Sequence, residues 1–116
     1  MSYTLDDILN RLPDMEAEIK KMREIILANL VMIGEIPAPT FDEERRIKFL
    51  RDRFEESGLI ENSVDEVGNG MAVLEGDQAD ENILVVAHAD TVHSQKVDHT
   101  ITVQPDTITG AGVADN

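Results

Sequence analysis

The sequence contains no cysteine and no tryptophan. The first absence excludes disulfides, thiol nucleophiles and cysteine-ligated zinc, and it fits a reducing compartment. Aromatic residues are scarce, three Phe and one Tyr, so any core must be aliphatic. Basic residues are also few: ten Lys and Arg stand against 24 Asp and Glu, a net charge of −14. Nucleic acids and anionic membrane surfaces both recruit positive charge, so neither is an expected partner. The acidity serves solubility first and attraction of divalent cations second. No apolar run approaches the ~18 residues that a membrane-spanning helix needs. The opening stretch MSYTLDDILNRL has neither the basic nor the apolar region of a signal peptide. A cytoplasmic protein is the expectation.

What is present is at most one domain, 116 residues with both charge signs interspersed. Its first half has helical spacing. Thr4 followed by Asp7 marks a helix start, and Leu5, Ile8, Leu9 and Leu12 share a face. Pro13 should interrupt that helix or open the next one. Met15, Ile19, Met22, Ile26, Leu30 and Ile33 then recur at helical spacing toward Gly34, a stripe expected to pack into a core. EIPAPT is a connector in which Pro37 and Pro39 disfavour helix. Thr40 and Glu43 form a capping-box pattern before a further helix with Ile47, Leu50 and Phe54 inside and Gly58 as its stop.

The second half reads as strands. Segments near Asn62 to Val67 and Met71 to Leu74 flank a GNG turn at Gly68 to Gly70. Gly76 to Asn82 is an acidic loop without EF-hand spacing. Ile83 to Ala87 is a continuous apolar run rich in β-branched residues, the pattern of a strand buried on both faces of a sheet. HTITVQPDTIT looks like a short surface hairpin turning at Pro105-Asp106.

Two short pieces carry chemistry. The apolar run ends in His88 and Asp90, which on an extended segment point to the same side. At the C-terminal end of a central strand that side opens on the crevice where α/β sheets bind ligands. An imidazole there can ligate a metal through one nitrogen while a carboxylate holds the proton on the other. A histidine alone is more often structural. The second piece is GAGVADN, Gly110 to Asn116, in which two glycines permit close backbone approach and Asp115 follows. A carboxylate can bridge two cations. Asp115 stands where a dinucleotide fingerprint would need its third glycine, so that motif is excluded. Taken alone, GxG followed by Asp is usually a turn and a helix cap.

Together, H-x-D-T-V at the end of an apolar strand, a β-rich spacer and G-x-G-x-x-D resemble the co-catalytic zinc exopeptidase and amidohydrolase family. The match extends upstream through "MREIILANLVMIGEIPAPTFDEERRIKFLRDRFEESGL" and "VDEVGNGMAVLEG", so it covers about Met22 to Asn116. The ending GAGVADN is most similar to the peptidase T-like branch. The resemblance implies an α/β fold, part of a three-layer α/β/α sandwich, with N-terminal helices followed by strands of a mixed sheet. Residues 1–20 would be a helical extension, and 21–116 the N-terminal portion of the catalytic domain. His88 would bind one zinc, Asp115 would bridge two, and Asp90 would be the catalytic-centre carboxylate supporting His88. Cobalt or manganese could replace zinc. The activity implied is hydrolysis of an amide bond, in a small peptide or an N-acyl amino acid, by metal-activated water.

The family pattern also requires a general-base glutamate with an adjacent acidic metal ligand, a further acidic ligand and a distal histidine, all downstream of the bridging Asp, and the sequence stops one residue after Asp115. The chain is therefore expected to be the N-terminal part of such an enzyme, inactive by itself and weak in zinc binding. Glu43 and Glu44 are expected to cap a helix rather than fill the gap. His93 could reach only the rim of the site, and His99 should be exposed. An unpaired central strand edge favours self-association, so a homo-oligomer is expected. The alternative is a non-catalytic peptidase-like module acting through self-association or partner binding.

Overall fold

A computed structural model describes residues 3–77 and 80–115 and shows a mixed α/β chain, three helices followed by two small antiparallel sheets. Gln78 and Ala79 of the acidic loop, and Asn116 at the end of GAGVADN, lie outside the described residues. Met1–Leu30 and Val31–Asn116 are two compact units. Among the described residues no helix is long and apolar enough to cross a membrane.

Helix α1 spans Leu5–Lys21 and begins with the capping box expected from Thr4 and Asp7. Thr4 Oγ1 accepts from the Asp7 amide, and Asp7 Oδ2 accepts from the Thr4 amide. Asp6 and Asp7 lie in the first turn and Lys20 and Lys21 in the last, each complementing the helix dipole. Pro13 neither ends nor begins a helix; it lies inside α1. The break falls instead at Met22, the C-cap, after which α2 runs over Arg23–Gly34. The end at Gly34 agrees with the sequence pattern. The expectation that the Met and Leu stripe packs into a core is not met, because neither helix contains a buried residue.

Helix α3, Glu44–Glu56, packs on a hairpin of β1, Ile60–Val64, and β2, Gly70–Val73. Ile47, Leu50 and Phe54 are half-buried, as their spacing required. Gly58 takes φ +78°, and the amides of Gly58 and Leu59 return to the carbonyls of Glu55 and Phe54, closing the helix. Asp65 organises the hairpin turn by accepting from the amides of Val67 and Asn69. The second hairpin, β3 at Thr102–Val103 and β4 at Ile108–Thr109, turns through the expected Pro105-Asp106.

Among the described residues the buried ones are Ala38, Thr91, His99 and Ile101. Ile101 fills the space left by two glycines. A Cβ on Gly34 would come within 2.3 Å of its side chain, and one on Gly110 within 2.8 Å. Its amide donates to Glu35 Oε1. Two expectations are corrected here. His99 is buried, not exposed, with Nε2 bonded to the Ser94 carbonyl. Ile83 to Ala87 is not a buried central strand. It pairs with no strand among the described residues, and Ile83, Leu84, Val85 and Val86 are 78–91% exposed. A strand needs a neighbour for its ladder hydrogen bonds, and both hairpins here pair only within themselves.

Candidate metal site

The site is assembled from three segments of the second unit: the connector after α2, the residues following the apolar run, and the glycine-rich end. The connector and Thr91 are joined first. The Thr91 amide donates to the Ala38 carbonyl at 2.8 Å, forming an isolated parallel bridge between Pro39 and Thr91. Arg46 of α3 reinforces the junction, donating through Nη1 to the Ala89 carbonyl at 2.9 Å and through Nη2 to the Ile36 carbonyl at 2.6 Å. Partial burial lowers its pKa, and the nearby Asp90 carboxylate opposes that shift.

Asp90 is held from two sides. Thr40 Oγ1 donates to Asp90 Oδ2 at 2.5 Å, and Asp90 Oδ1 lies 3.1 Å from His88 Nδ1. The Asp90 carbonyl is also 3.1 Å from Nδ1. The Thr40 hydroxyl is the main cause of a lowered Asp90 pKa, and the His88 ring adds to it. The reciprocal effect raises the His88 pKa: the hydrogen bond to Asp90 acts first, and the Asp115 charge acts in the same sense.

The glycine-rich end delivers Asp115. Gly112 takes φ +70° and lies so close to Thr91 that a Cβ would fall 2.9 Å from its Oγ1. Two successive turns, Val113 amide to Gly110 carbonyl and Asp115 amide to Gly112 carbonyl, then curl the chain back. Asp115 Oδ2 ends 3.8 Å from His88 Nε2. His88, Asp90 and Asp115, singled out in the sequence 27 positions apart at the extremes, thus lie together, with Asp90 on one ring nitrogen and Asp115 near the other. The His88 and Asp115 side chains are about half exposed.

The donor chemistry is compatible with part of a zinc shell. In the neutral tautomer that carries its proton on Nδ1, toward Asp90, Nε2 would be the nitrogen to ligate a metal. Ordinary Zn–N and Zn–O lengths place two tetrahedral donors about 3.4 Å apart, close to the 3.8 Å between Nε2 and Asp115 Oδ2. Two donors are fewer than the three that a catalytic zinc takes from protein. Among the described residues no group of three or more His, Asp or Glu side chains is gathered as a metal cage.

Other expectations come out differently. Thr40 does not cap α3; its hydroxyl is committed to Asp90, and the N-cap position is Glu43, whose side chain makes no cap bond. Glu43 instead accepts from the Phe41 amide at 2.7 Å, supporting a turn in which exposed Phe41 has φ +71°. His93 sits beside Gly112, its amide bonded to Thr91 Oγ1. Thr40, Arg46 and the buried Thr91 are the supporting residues that the sequence reading did not find. The T-V following His-x-Asp was the available signal for Thr91, whereas nothing local marks Thr40 or Arg46. Comparison with protein-family models, curated proteins and solved structures finds no match for this chain.

Proposed function

We propose that this chain carries one side of the metal centre of a dinuclear zinc-dependent hydrolase, a peptidase or N-acyl amino acid deacylase. The observation that carries the proposal is His88 with a carboxylate at each ring nitrogen: Asp90 at 3.1 Å from Nδ1 and Asp115 at 3.8 Å from Nε2. The sequence pattern H-x-D-T-V…G-x-G-x-x-D supports it. On this proposal His88 and Asp115 hold the metal. Bound zinc supplies Lewis acidity and lowers the pKa of its water toward neutrality. Asp90 keeps the proton on Nδ1 and fixes the ring, while Thr40 fixes Asp90. The remaining ligands and the general base come from outside the described residues. Ile83 to Ala87 becomes a central strand of the three-layer sandwich once other strands pair with it. The substrate class is a small peptide or an N-acyl amino acid.

Zinc titration of the ¹⁵N-labelled chain, followed at the histidine ring nitrogens, tests the assignment. Weak zinc binding should perturb Nε2 of His88. His88→Ala should abolish the effect and Asp115→Ala should weaken it by about tenfold or more. Perturbation of His93 or His99 with His88 unmoved would refute the site. In the assembled enzyme Asp115→Ala should remove metal and activity together. A non-catalytic module acting through association is the alternative, favoured by the exposed run Ile83 to Val86; the same titration separates the two, because a module needs no His88 response.

A further inference from the structure

The N-terminal unit leaves an apolar seam uncovered. Leu5, Leu12, Ile19 and Ile26 are spaced by seven, and Ile8, Met15 and Met22 fall three residues after the first three of them. These are the a and d positions of a heptad repeat sustained over three heptads. Every one of the seven is 47–70% exposed. A strict seven-residue period drifts around a straight helix and stays on one line only when two helices supercoil left-handedly. Pro13 falls at b, off the seam. The irregularity at Met22 keeps its backbone bonded, with the Met22 amide on the Ile19 carbonyl and the Ile26 amide on the Met22 carbonyl.

The flanking charges say what covers the seam. Arg11 and Glu18 occupy g positions; Glu16 and Arg23 occupy e positions. In a parallel in-register pair each g residue meets the e residue five positions later on the other helix. Arg11 then faces Glu16 of the partner subunit, and Glu18 faces Arg23 of the partner subunit, each contact occurring twice by symmetry. The antiparallel register that overlays Ile8 on Ile26 sets Glu16 against its own copy and Glu18 against its own copy. The one that overlays Leu5 on Met22 sets Glu16 against Leu9. Of these registers the parallel one alone gives all four charges an opposite partner. Within one chain Glu16 and Glu18 already bond Lys20 and Lys21, and Arg23 bonds Glu24. Those pairs are exposed, so sharing or exchanging them costs little. The chain's acidity does not stand in the way, since residues 3–30 hold six acidic and four basic side chains of the chain's 24 and ten.

We infer that the seam from Leu5 to Ile26 binds a second copy of this chain as a parallel, in-register two-stranded coiled coil. The occupant is the same helix, and the proposal is independent of the metal site. Sedimentation equilibrium of the full chain should give the mass of two chains. Ile19→Lys, which buries a charge at a, should weaken association about tenfold or more. Helix loss in that variant would confuse the result, so two rim variants leave the seam intact. The acidic variant Arg11→Glu/Arg23→Glu and the basic variant Glu16→Lys/Glu18→Lys should each self-associate about tenfold less tightly, and a mixture of the two should pair. Orientation is read from Ile8→Cys in this cysteine-free chain: air oxidation should yield a disulfide-linked pair. A monomeric wild type, rim variants that associate as wild type does, an assembly larger than two, or no disulfide at position 8 would each overturn the proposal.

Discussion

At the scale of single residues, the chemistry turns on how Asp90 divides its carboxylate. One oxygen takes the Thr40 hydroxyl and the other meets His88 Nδ1. The His88 pKa is raised from its ordinary 6.5. The interactions stabilising its charged form are therefore fully present below that value and are lost as pH rises through the raised one. The Asp90 pKa is lowered from 3.8, so its contribution is present above that value and is lost as pH falls through the lowered one. The ion pair is thus complete at mildly acidic pH. Zinc needs the neutral ring, so zinc uptake at His88 should strengthen as pH rises through the raised pKa. Asp90→Asn removes the charged partner and should bring the His88 pKa down toward 6.5, measured by NMR titration of the imidazole; an unchanged midpoint would show that Asp90 does not set it. Arg46, with two carbonyls on its guanidinium, does for the backbone what Thr40 does for the carboxylate.

At the scale of elements, the glycine-rich end shows how backbone freedom becomes geometry. Gly112 combines a positive φ with a Cα pressed on Thr91, and only a residue without Cβ satisfies both. Gly112→Ala should cost about 1–2 kcal/mol, readable as a lower unfolding midpoint in urea. It should also weaken the zinc response of His88, because Asp115 is carried on the same loop. A variant with wild-type stability and wild-type zinc response would mean that the loop can place Asp115 by another path. The two hairpins were visible in the sequence, since turn residues such as Gly68 and Pro105-Asp106 act locally. Helix α1 began where Thr4 and Asp7 placed it and ended where the pattern did not. Pro13 is accommodated inside α1, between the capped start at Thr4 and the C-cap at Met22, where a breaker rule places an end. The capping pattern at Thr40 misled for the opposite reason: a hydroxyl that could have closed a helix found a carboxylate 50 positions away.

At the scale of the whole molecule, the chain exposes far more apolar surface than its small buried group can account for. Ala38 and Ile101 are the buried hydrophobic residues among those described, while four consecutive side chains from Ile83 to Val86 stand in solvent. Such an apolar run, mostly β-branched and paired with no strand among the described residues, is an aggregation hazard. Leu84→Lys should therefore leave the unfolding free energy within about 0.5 kcal/mol of wild type, while reducing light scattering on heating. A large loss of stability would show instead that Leu84 is covered in solution. Charge does not oppose this hazard evenly, because the acidic excess lies mostly outside the N-terminal helices.

The sequence by itself determined what depends on neighbours along the chain: the capping box at Thr4, the helix end at Gly34, the hairpin turns, and the meeting of His88 with Asp90 two positions on. Tertiary structure alone decided that Thr40 meets Asp90 and Arg46 the Ala89 and Ile36 carbonyls, that Asp115 comes near His88, that His99 is buried, and that Ile83 to Ala87 pairs with no strand among the described residues. The physical reason is the same in each case. Local rules describe what a segment prefers, whereas a distant hydrogen bond, a glycine-sized gap or an absent neighbouring strand decides which of those preferences is satisfied.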